Sequence, residues 1–199
     1  MTEHKGKIGV LTEAHFDETE YRRFNEYFPK RGYEVEYLSH LWGHPSLTFT
    51  GNDNDLTCTV TTEVETADPS DYKAIILIGA YAMDRLRYEE HPQPKEPNRA
   101  PAVEFLRKAV ERMDAGELKV GTICHSLWLF CADPDLLHGR KVTCAHNIMS
   151  DVVNAGGEYV YAPEGGGVNV CIDGGLVSAR HPEVVDEFMD TFVREIESS

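Results

Sequence analysis

The stretch from Val120 to Trp128 holds the residues best suited to chemistry in this chain. An apolar run ends at Cys124 and His125 and continues directly into a helix-compatible segment. At a sharp strand-to-helix turn a side chain is lifted above the sheet, beside backbone amides and a helix N-terminus. A helix dipole would favour the thiolate, which predicts that Cys124 is a nucleophile. A buried structural cysteine at a strand end is the other interpretation, and this stretch alone does not separate the two.

Two other strand ends carry groups that a cysteine nucleophile needs. The carboxyl ends of parallel strands meet at one edge of a sheet, where ligands bind. Asp17 follows the first strand and is predicted to handle the proton of the thiol. Gly79 and Ala80 follow the most apolar strand, and the amides of Ala80 and His125 are predicted to hold a developing oxyanion. The His125 side chain is an acid, a base or only a helix cap.

The elements that must position these residues alternate between strands and helices. This order predicts an α/β three-layer sandwich, flavodoxin-like, with a mostly parallel central sheet and a nucleophile elbow. The continuous apolar run 74–78 is typical of a strand covered on both faces. The predicted strands are 7–11, 33–38, 47–49, 57–60, 74–78, 120–123, 141–144, 159–161, 168–172 and 176–178. The predicted helices are 17–31, 102–113, 148–154 and 183–196.

Length and charge limit the class of protein. The 199 residues predict one domain spanning 1–199, and the net charge of -15 argues against nucleic acid and anionic membrane surfaces as partners. No apolar run approaches the roughly 20 residues of a transmembrane helix. The segment Met1–Gly6 lacks the apolar core of a signal peptide, which predicts a cytoplasmic protein. The five cysteines lack zinc-site spacing, so we expect no metal and no cofactor.

Four segments occur in an order that is specific when they are taken together. They are 11–17 (LTEAHFD), 77–87 (LIGAYAMDRLR), 122–125 (TICH), and 137–143 with 173–180 (LHGRKVT and DGGLVSAR). In this order they resemble the PfpI/ThiJ superfamily. This class I glutamine-amidotransferase-like group includes PfpI-type peptidases, isonitrile hydratases, glyoxalase III-type proteins and the parkinsonism-associated protein.

The resemblance implies roles for three side chains. Cys124 would be the nucleophile and Asp17 its acidic partner, where most members have Glu and isonitrile hydratases have Asp. Asp84 stands where PfpI-type peptidases carry a Glu that reaches the elbow histidine from a neighbouring subunit. It is therefore either an intersubunit partner of His125 or a surface acid paired with an arginine. A homodimer or higher homo-oligomer is expected.

Departures from the family pattern suggest a particular pocket. Ala80 replaces a glycine, Ser126 follows the Cys-His pair, and Tyr81 replaces a smaller or basic residue. We predict that the pocket is formed by Gly79, Ala80, Tyr81, Ser126 and His146. The Pro-rich loop 89–101 either covers this site or builds an oligomer contact. These features disfavour peptidase activity and favour a small-molecule substrate.

The sequence therefore predicts a cysteine-dependent enzyme that adds Cys124 to a small electrophilic carbon. Isonitriles, aldehydes, amides and nitriles fit, so the reaction is that of a hydratase, a hydrolase or a glyoxalase-like lyase. Asp17 makes isonitrile hydration the most attractive of these. The alternatives are a redox-sensing or stress-response protein that uses Cys124 oxidation, and a family member that keeps only the fold.

Overall fold

The computed structural model describes residues 4–198. Met1 to Glu3, which form half of the segment Met1–Gly6 discussed above, lie outside the described residues. Ser199 does so too. The strands are β1 (Gly6–Leu11), β2 (Tyr33–Ser39), β3 (Leu47–Thr50), β4 (Thr57–Val60), β5 (Thr62–Glu63), β6 (Ala74–Leu77), β7 (Lys119–Ile123), β8 (Lys141–Val142), β9 (Glu158–Tyr159), β10 (Val170–Asp173) and β11 (Leu176–Ala179). The α-helices are α1 (Glu18–Lys30), α2 (Ala82–Leu86), α3 (Pro101–Asp114), α4 (Trp128–Cys131), α5 (Met149–Asn154) and α6 (Val185–Glu197).

Seven strands form the central sheet in the order β10-β11-β7-β6-β1-β2-β5. All neighbouring pairs are parallel except β10 with β11, which form an antiparallel hairpin. The strand order β2-β1-β6-β7-β11 is that of a flavodoxin-like fold, so the predicted fold class is confirmed. The strands predicted at 47–49 and 57–60 are β3 and β4, which form an antiparallel hairpin outside this sheet. Among the described residues, no helix is both long and apolar enough to cross a membrane.

Helices cover both faces of the sheet. All four residues of β6 are buried, as its continuous apolar sequence predicts. On one face, α1 packs against α6 through an aromatic group that includes Phe24, Phe28, Phe188 and Phe192. The helix α3 packs against β7 and α4. The core therefore fixes β1, β6 and β7 side by side.

Several predicted boundaries differ from the structure, among them the end of the strand predicted at 159–161, which is β9 (Glu158–Tyr159), and the start of the strand predicted at 168–172, which is β10 (Val170–Asp173). Two of the differences lie next to the site. The strand predicted at 141–144 ends at Val142, because the Thr143 N–H donates to the Ser178 hydroxyl at 2.9 Å instead of continuing a ladder. The helix predicted at 148–154 is preceded by a 3₁₀ turn, His146–Ile148. The segment between β8 and α5 is therefore a turn. This turn lies against Cys124, because the Ala145 N–H donates to the Cys124 carbonyl.

The order of the sheet brings three strand ends together. Leu11 pairs with Leu77, and Leu77 pairs with Thr122, so β1, β6 and β7 end at the same edge. A left-handed backbone conformation follows each end, at His15 (φ 62°), Ala80 (φ 56°) and Cys124 (φ 59°). Such φ values are uncommon outside glycine and cluster at functional sites.

Candidate active site

Cys124 occupies the predicted elbow and is only 5% exposed. Its N–H donates to the Ala179 carbonyl at 3.0 Å, and its own carbonyl accepts from the Ala145 N–H at 3.0 Å. The expected helix dipole is not supported, because α4 spans four residues and begins at Trp128. The thiol is therefore governed by nearby groups.

Ser126 locks the elbow and does not line a pocket. Its side chain is fully buried, and its hydroxyl accepts a 2.7 Å hydrogen bond from the Ile123 N–H. The prediction that Ser126 is a pocket residue is therefore wrong, because its one hydroxyl is used to stabilise the turn.

Two backbone N–H groups are directed at the sulfur. Hydrogen bonds from Ala80 and His125 lower the pKa of the Cys124 thiol, in opposition to burial. Ala80 is held in place because Phe16 bridges to it and the Tyr81 N–H donates to the His15 carbonyl at 3.0 Å. These are the two amides that the sequence indicated.

The carboxyl group beside Cys124 belongs to Glu20. Glu20 is completely buried in the first turn of α1, and its Oε2 accepts a 2.6 Å hydrogen bond from the Gly79 N–H. Its Oε1 is buried with no hydrogen-bond partner among the described residues. A Cβ added at Gly79 would lie 2.5 Å from this oxygen and 2.9 Å from the Cys124 Cβ. Glu20 and Cys124 thus border the same gap, which only glycine leaves open.

Asp17 has a different task from the one predicted. It is the N-cap of α1, and its Oδ1 accepts a 2.9 Å hydrogen bond from the Glu20 N–H. An Asp at this position satisfies a free amide of the first helical turn. Its charge influences Cys124 less than that of Glu20 does. The structure thus gives Asp17 a capping role and makes Glu20, three residues along the chain, the carboxylate with the larger effect on the Cys124 thiol.

Glu20 and Cys124 titrate as a pair. Burial raises the pKa of Glu20 well above its ordinary value, and the charge of Asp17 raises it further. Burial also raises the pKa of the Cys124 thiol, with the charge of Glu20 as the second cause. Two ionised groups this close and this buried would repel each other, so both groups hold their protons more tightly than they would in water.

The His125 ring contacts the sulfur from the other side. Its Nδ1 lies 3.0 Å from Sγ, and Asn147 Nδ2 lies 2.9 Å from its Nε2. Burial lowers the pKa of His125, which favours the neutral ring at pH 7. With Asn147 donating to Nε2, the ring proton resides on Nδ1 and faces the sulfur.

Asn147 is a site residue that the sequence did not indicate. It and the predicted pocket residue His146 are both exposed, but the contact with the His125 ring is made by Asn147. The hydrogen bond from Ala145 to the Cys124 carbonyl holds this turn against the elbow. Asn147, two residues after Ala145 in this turn, is the residue whose side chain contacts the His125 ring.

Aromatic side chains lie beside the elbow at the surface. Tyr81 is 53% exposed, and its ring centre lies 5.7 Å from that of His125 and 6.1 Å from that of Trp128. Asp84 pairs with Arg87, Nε to Oδ1 at 3.1 Å, and the Arg87 guanidinium lies 5.4 Å from the centre of the Trp128 ring. Within one chain Asp84 is thus a surface acid; its contact with a second subunit stays a prediction.

The Pro-rich loop helps to form a cavity of about 490 Å³. The other walls include His40, Trp42 and Glu65, and Cys124 is not among the residues that line it. The loop ends are held by Asn98, which donates to the Arg87 carbonyl at 2.9 Å. The loop therefore lines a cavity that is separate from Cys124.

Comparison with known proteins agrees with this fold and extends over nearly the whole chain. The model of the DJ-1/PfpI family matches residues 6–195. Protein/nucleic acid deglycase 2 of Escherichia coli is 30% identical over 183 residues, which are 92% of each chain. Deglycase PfpI of Pyrococcus furiosus is 30% identical over 192 residues, with 94% of this chain and 98% of that protein covered.

A solved structure shows the same fold within a larger protein. It is a two-domain protein from Anabaena variabilis with DJ-1/ThiJ/PfpI-like and ferritin-like domains. It superposes with a TM-score of 0.79 at 22% identity, and the match covers 97% of this chain and 48% of that one. At this identity the likeness concerns the fold alone.

Proposed function

This chain belongs to the DJ-1/PfpI family, and we propose that it is an enzyme in which Cys124 adds covalently to the carbonyl carbon of a small aldehyde or aldehyde-derived adduct. The proposal depends mainly on one observation: Glu20, a buried carboxyl group with a free oxygen, borders the same gap as Cys124, whose sulfur two backbone amides also face. The two deglycases that are 30% identical support an aldehyde-derived substrate.

The reaction begins with transfer of the thiol proton. Rotation of the Cys124 side chain away from His125 brings Sγ toward the free Oε1 of Glu20, whose raised pKa suits it to hold a proton at neutral pH. The thiolate then adds to the carbonyl carbon, and the oxygen that becomes negative accepts hydrogen bonds from the amides of Ala80 and His125. Where the attacked carbon also carries the nitrogen of an adduct, the proton on Glu20 passes to that nitrogen and the C–N bond breaks, which releases the amine and leaves the carbon bound to sulfur. Water then adds to this carbon, the C–S bond breaks, and the Cys124 thiol is regenerated as the acyl product leaves.

Two features of the site fit a small substrate. Cys124 is almost completely covered, and exposed Tyr81 stands beside the elbow. Isonitrile hydration loses its support, because that preference depended on Asp17 as the proton partner and Asp17 caps α1 instead.

The experiment measures release of product from an aldehyde-modified amino acid, such as methylglyoxal-treated N-acetylarginine. We expect turnover by the parent protein and none above background by Cys124→Ser. The matched control is Cys171→Ser, because Cys171 is a half-buried thiol on the edge strand β10. If Cys124→Ser kept the turnover of the parent, the proposal would be wrong.

Oxidation of Cys124 is a second candidate function, favoured by the same donors. The amides of Ala80 and His125, with a protonated Glu20, would stabilise the oxygens of a sulfinate at this sulfur. Peroxide treatment followed by mass spectrometry of the Cys124 peptide tests this. Selective oxidation without turnover on any aldehyde adduct would favour a sensor over the enzyme.

A further inference from the structure

A second cluster of chemically useful side chains lies at the same edge of the sheet, beyond β2 and β5. Ser39 pairs with Glu63 in parallel register, and the Val64 N–H donates to the Ser39 carbonyl at 2.9 Å. This pairing places His40, the residue after β2, against Glu63 and the turn that follows it. The active site described above uses none of these side chains.

Three potential metal ligands converge there. The ligand atoms of His40, Glu63 and Glu65 all lie within 4.8 Å of one another, and His40 Nδ1 is 3.0 Å from Glu63 Oε1. A set of one imidazole and two carboxylates, held this closely, matches the ligands of Zn²⁺ and similar divalent ions.

Two of the three side chains, His40 and Glu63, are held in place before any ion binds. Glu63 Oε2 accepts from the Leu41 N–H at 2.8 Å, and its Oε1 accepts from the Glu65 N–H at 3.0 Å. The Trp42 ring packs on His40 with the ring centres 4.2 Å apart.

The cluster also opens onto a space that a ligand can enter. His40 and Glu65 line the cavity of about 490 Å³ beneath the Pro-rich loop, and His91, Glu89 and Glu90 line it from the loop side. An ion bound by three protein ligands would have its remaining positions directed to water or to these loop side chains. The loop thus places further nitrogen and oxygen donors of the same chemical class on the wall of this cavity.

We propose that His40, Glu63 and Glu65 form a binding site for a divalent transition-metal ion of the Zn²⁺ class, with the cavity under the Pro-rich loop at its open side. This site is independent of Cys124 and would stand if the proposed enzymatic function failed.

The test is titration of the metal-free full-length chain with ZnCl₂ by calorimetry, together with its melting temperature. We expect one site per chain and weakening of its Kd by roughly 10- to 100-fold in His40→Ala and in Glu65→Gln. The matched controls are His44→Ala, an exposed histidine four residues away, and Glu164→Gln, an exposed acid elsewhere. Both are expected to bind as the parent does.

A Co²⁺ spectrum distinguishes this site from the cysteines. Thiolate ligands give Co²⁺ an intense near-ultraviolet charge-transfer band, which imidazole and carboxylate ligands lack. We expect the His40-dependent site to show no such band. Absence of Zn²⁺ binding, unchanged affinity in His40→Ala and Glu65→Gln, or a thiolate band at the tight site would each overturn the proposal.

Discussion

The Gly79 backbone N–H donates a 2.6 Å hydrogen bond to Oε2 of Glu20, and this contact links the end of β6 to the first turn of α1. It fixes one carboxyl oxygen and leaves the other without a partner, on the side where Cys124 lies. The site depends on this contact, because it positions the Glu20 carboxylate, which α1 carries, against the backbone that follows β6.

The absence of a side chain at position 79 is the first feature to test. Gly79→Ala would place Cβ against the Glu20 carboxylate and Cys124, so we expect lower stability by about 1–3 kcal/mol and loss of most activity. Urea unfolding and steady-state kinetics measure the two effects. Ala80→Gly is the matched control at the next residue.

Ala80 has φ 56°, a conformation that glycine adopts easily. Relief of this strain and the greater freedom of the unfolded chain oppose each other, so Ala80→Gly is expected to change stability by less than about 1 kcal/mol. Its activity should remain near that of the parent. If Gly79→Ala and Ala80→Gly lost equal amounts of activity, the gap at Gly79 would not be important for catalysis.

Burial of Glu20 predicts a pH dependence of stability. Its folded pKa is raised above the ordinary value of 4.5, so the folded state binds the proton more tightly than the unfolded state. The free energy of unfolding contributed by Glu20 therefore falls as pH rises from about 4.5 toward the raised folded pKa, by at most about 1.4 kcal/mol per pH unit. Glu20→Gln should lose this slope.

The comparison is made by urea unfolding of the parent and Glu20→Gln at a series of pH values. Other titrating groups are common to both proteins, so the difference between the two curves isolates Glu20. A difference that does not change with pH would show that Glu20 titrates normally in the folded protein.

The capping role of Asp17 predicts a loss of stability rather than of chemistry. Asp17→Ala removes the acceptor for the Glu20 N–H, and we expect unfolding to become easier by about 0.5–2 kcal/mol. Asp17→Asn should recover most of this, since Asn caps helices as well as Asp does. Thermal unfolding of both variants is the measurement, and equal losses in the two would argue against the cap.

Ser126 should matter for the elbow and not for the substrate. Ser126→Ala leaves the buried Ile123 N–H without its acceptor, at an expected cost of about 1–3 kcal/mol. The KM of the folded variant should stay near that of the parent. A large rise in KM without loss of stability would restore Ser126 to the pocket.

Sequence patterns predicted the fold because apolar runs mark the buried strands and turn residues mark where the strands end. The 74–78 run gave the central strand, and the elbow followed from the abrupt passage from strand to helix at Cys124. The same patterns placed the amides of Ala80 and His125, because backbone position follows once strand ends are known.

Glu20 was missed although the chain carries a signal for it. Glu20, Phe24 and Phe28 recur every four residues and so share the buried face of α1. A carboxylate on such a face indicates a special role, whereas the position after the first strand and the family resemblance both point to Asp17. Asn147, by contrast, reaches His125 only because a tertiary hydrogen bond, Ala145 to Cys124, folds its turn back.

The most direct test of the account is kcat/KM of Glu20→Gln measured beside that of Asp17→Asn. Both replace a carboxylate by an amide of the same size, three residues apart on one helix. If Glu20 manages the proton of Cys124, Glu20→Gln loses about 10²- to 10⁴-fold and Asp17→Asn stays close to the parent. A large loss in Asp17→Asn with near-parent activity in Glu20→Gln would contradict the account.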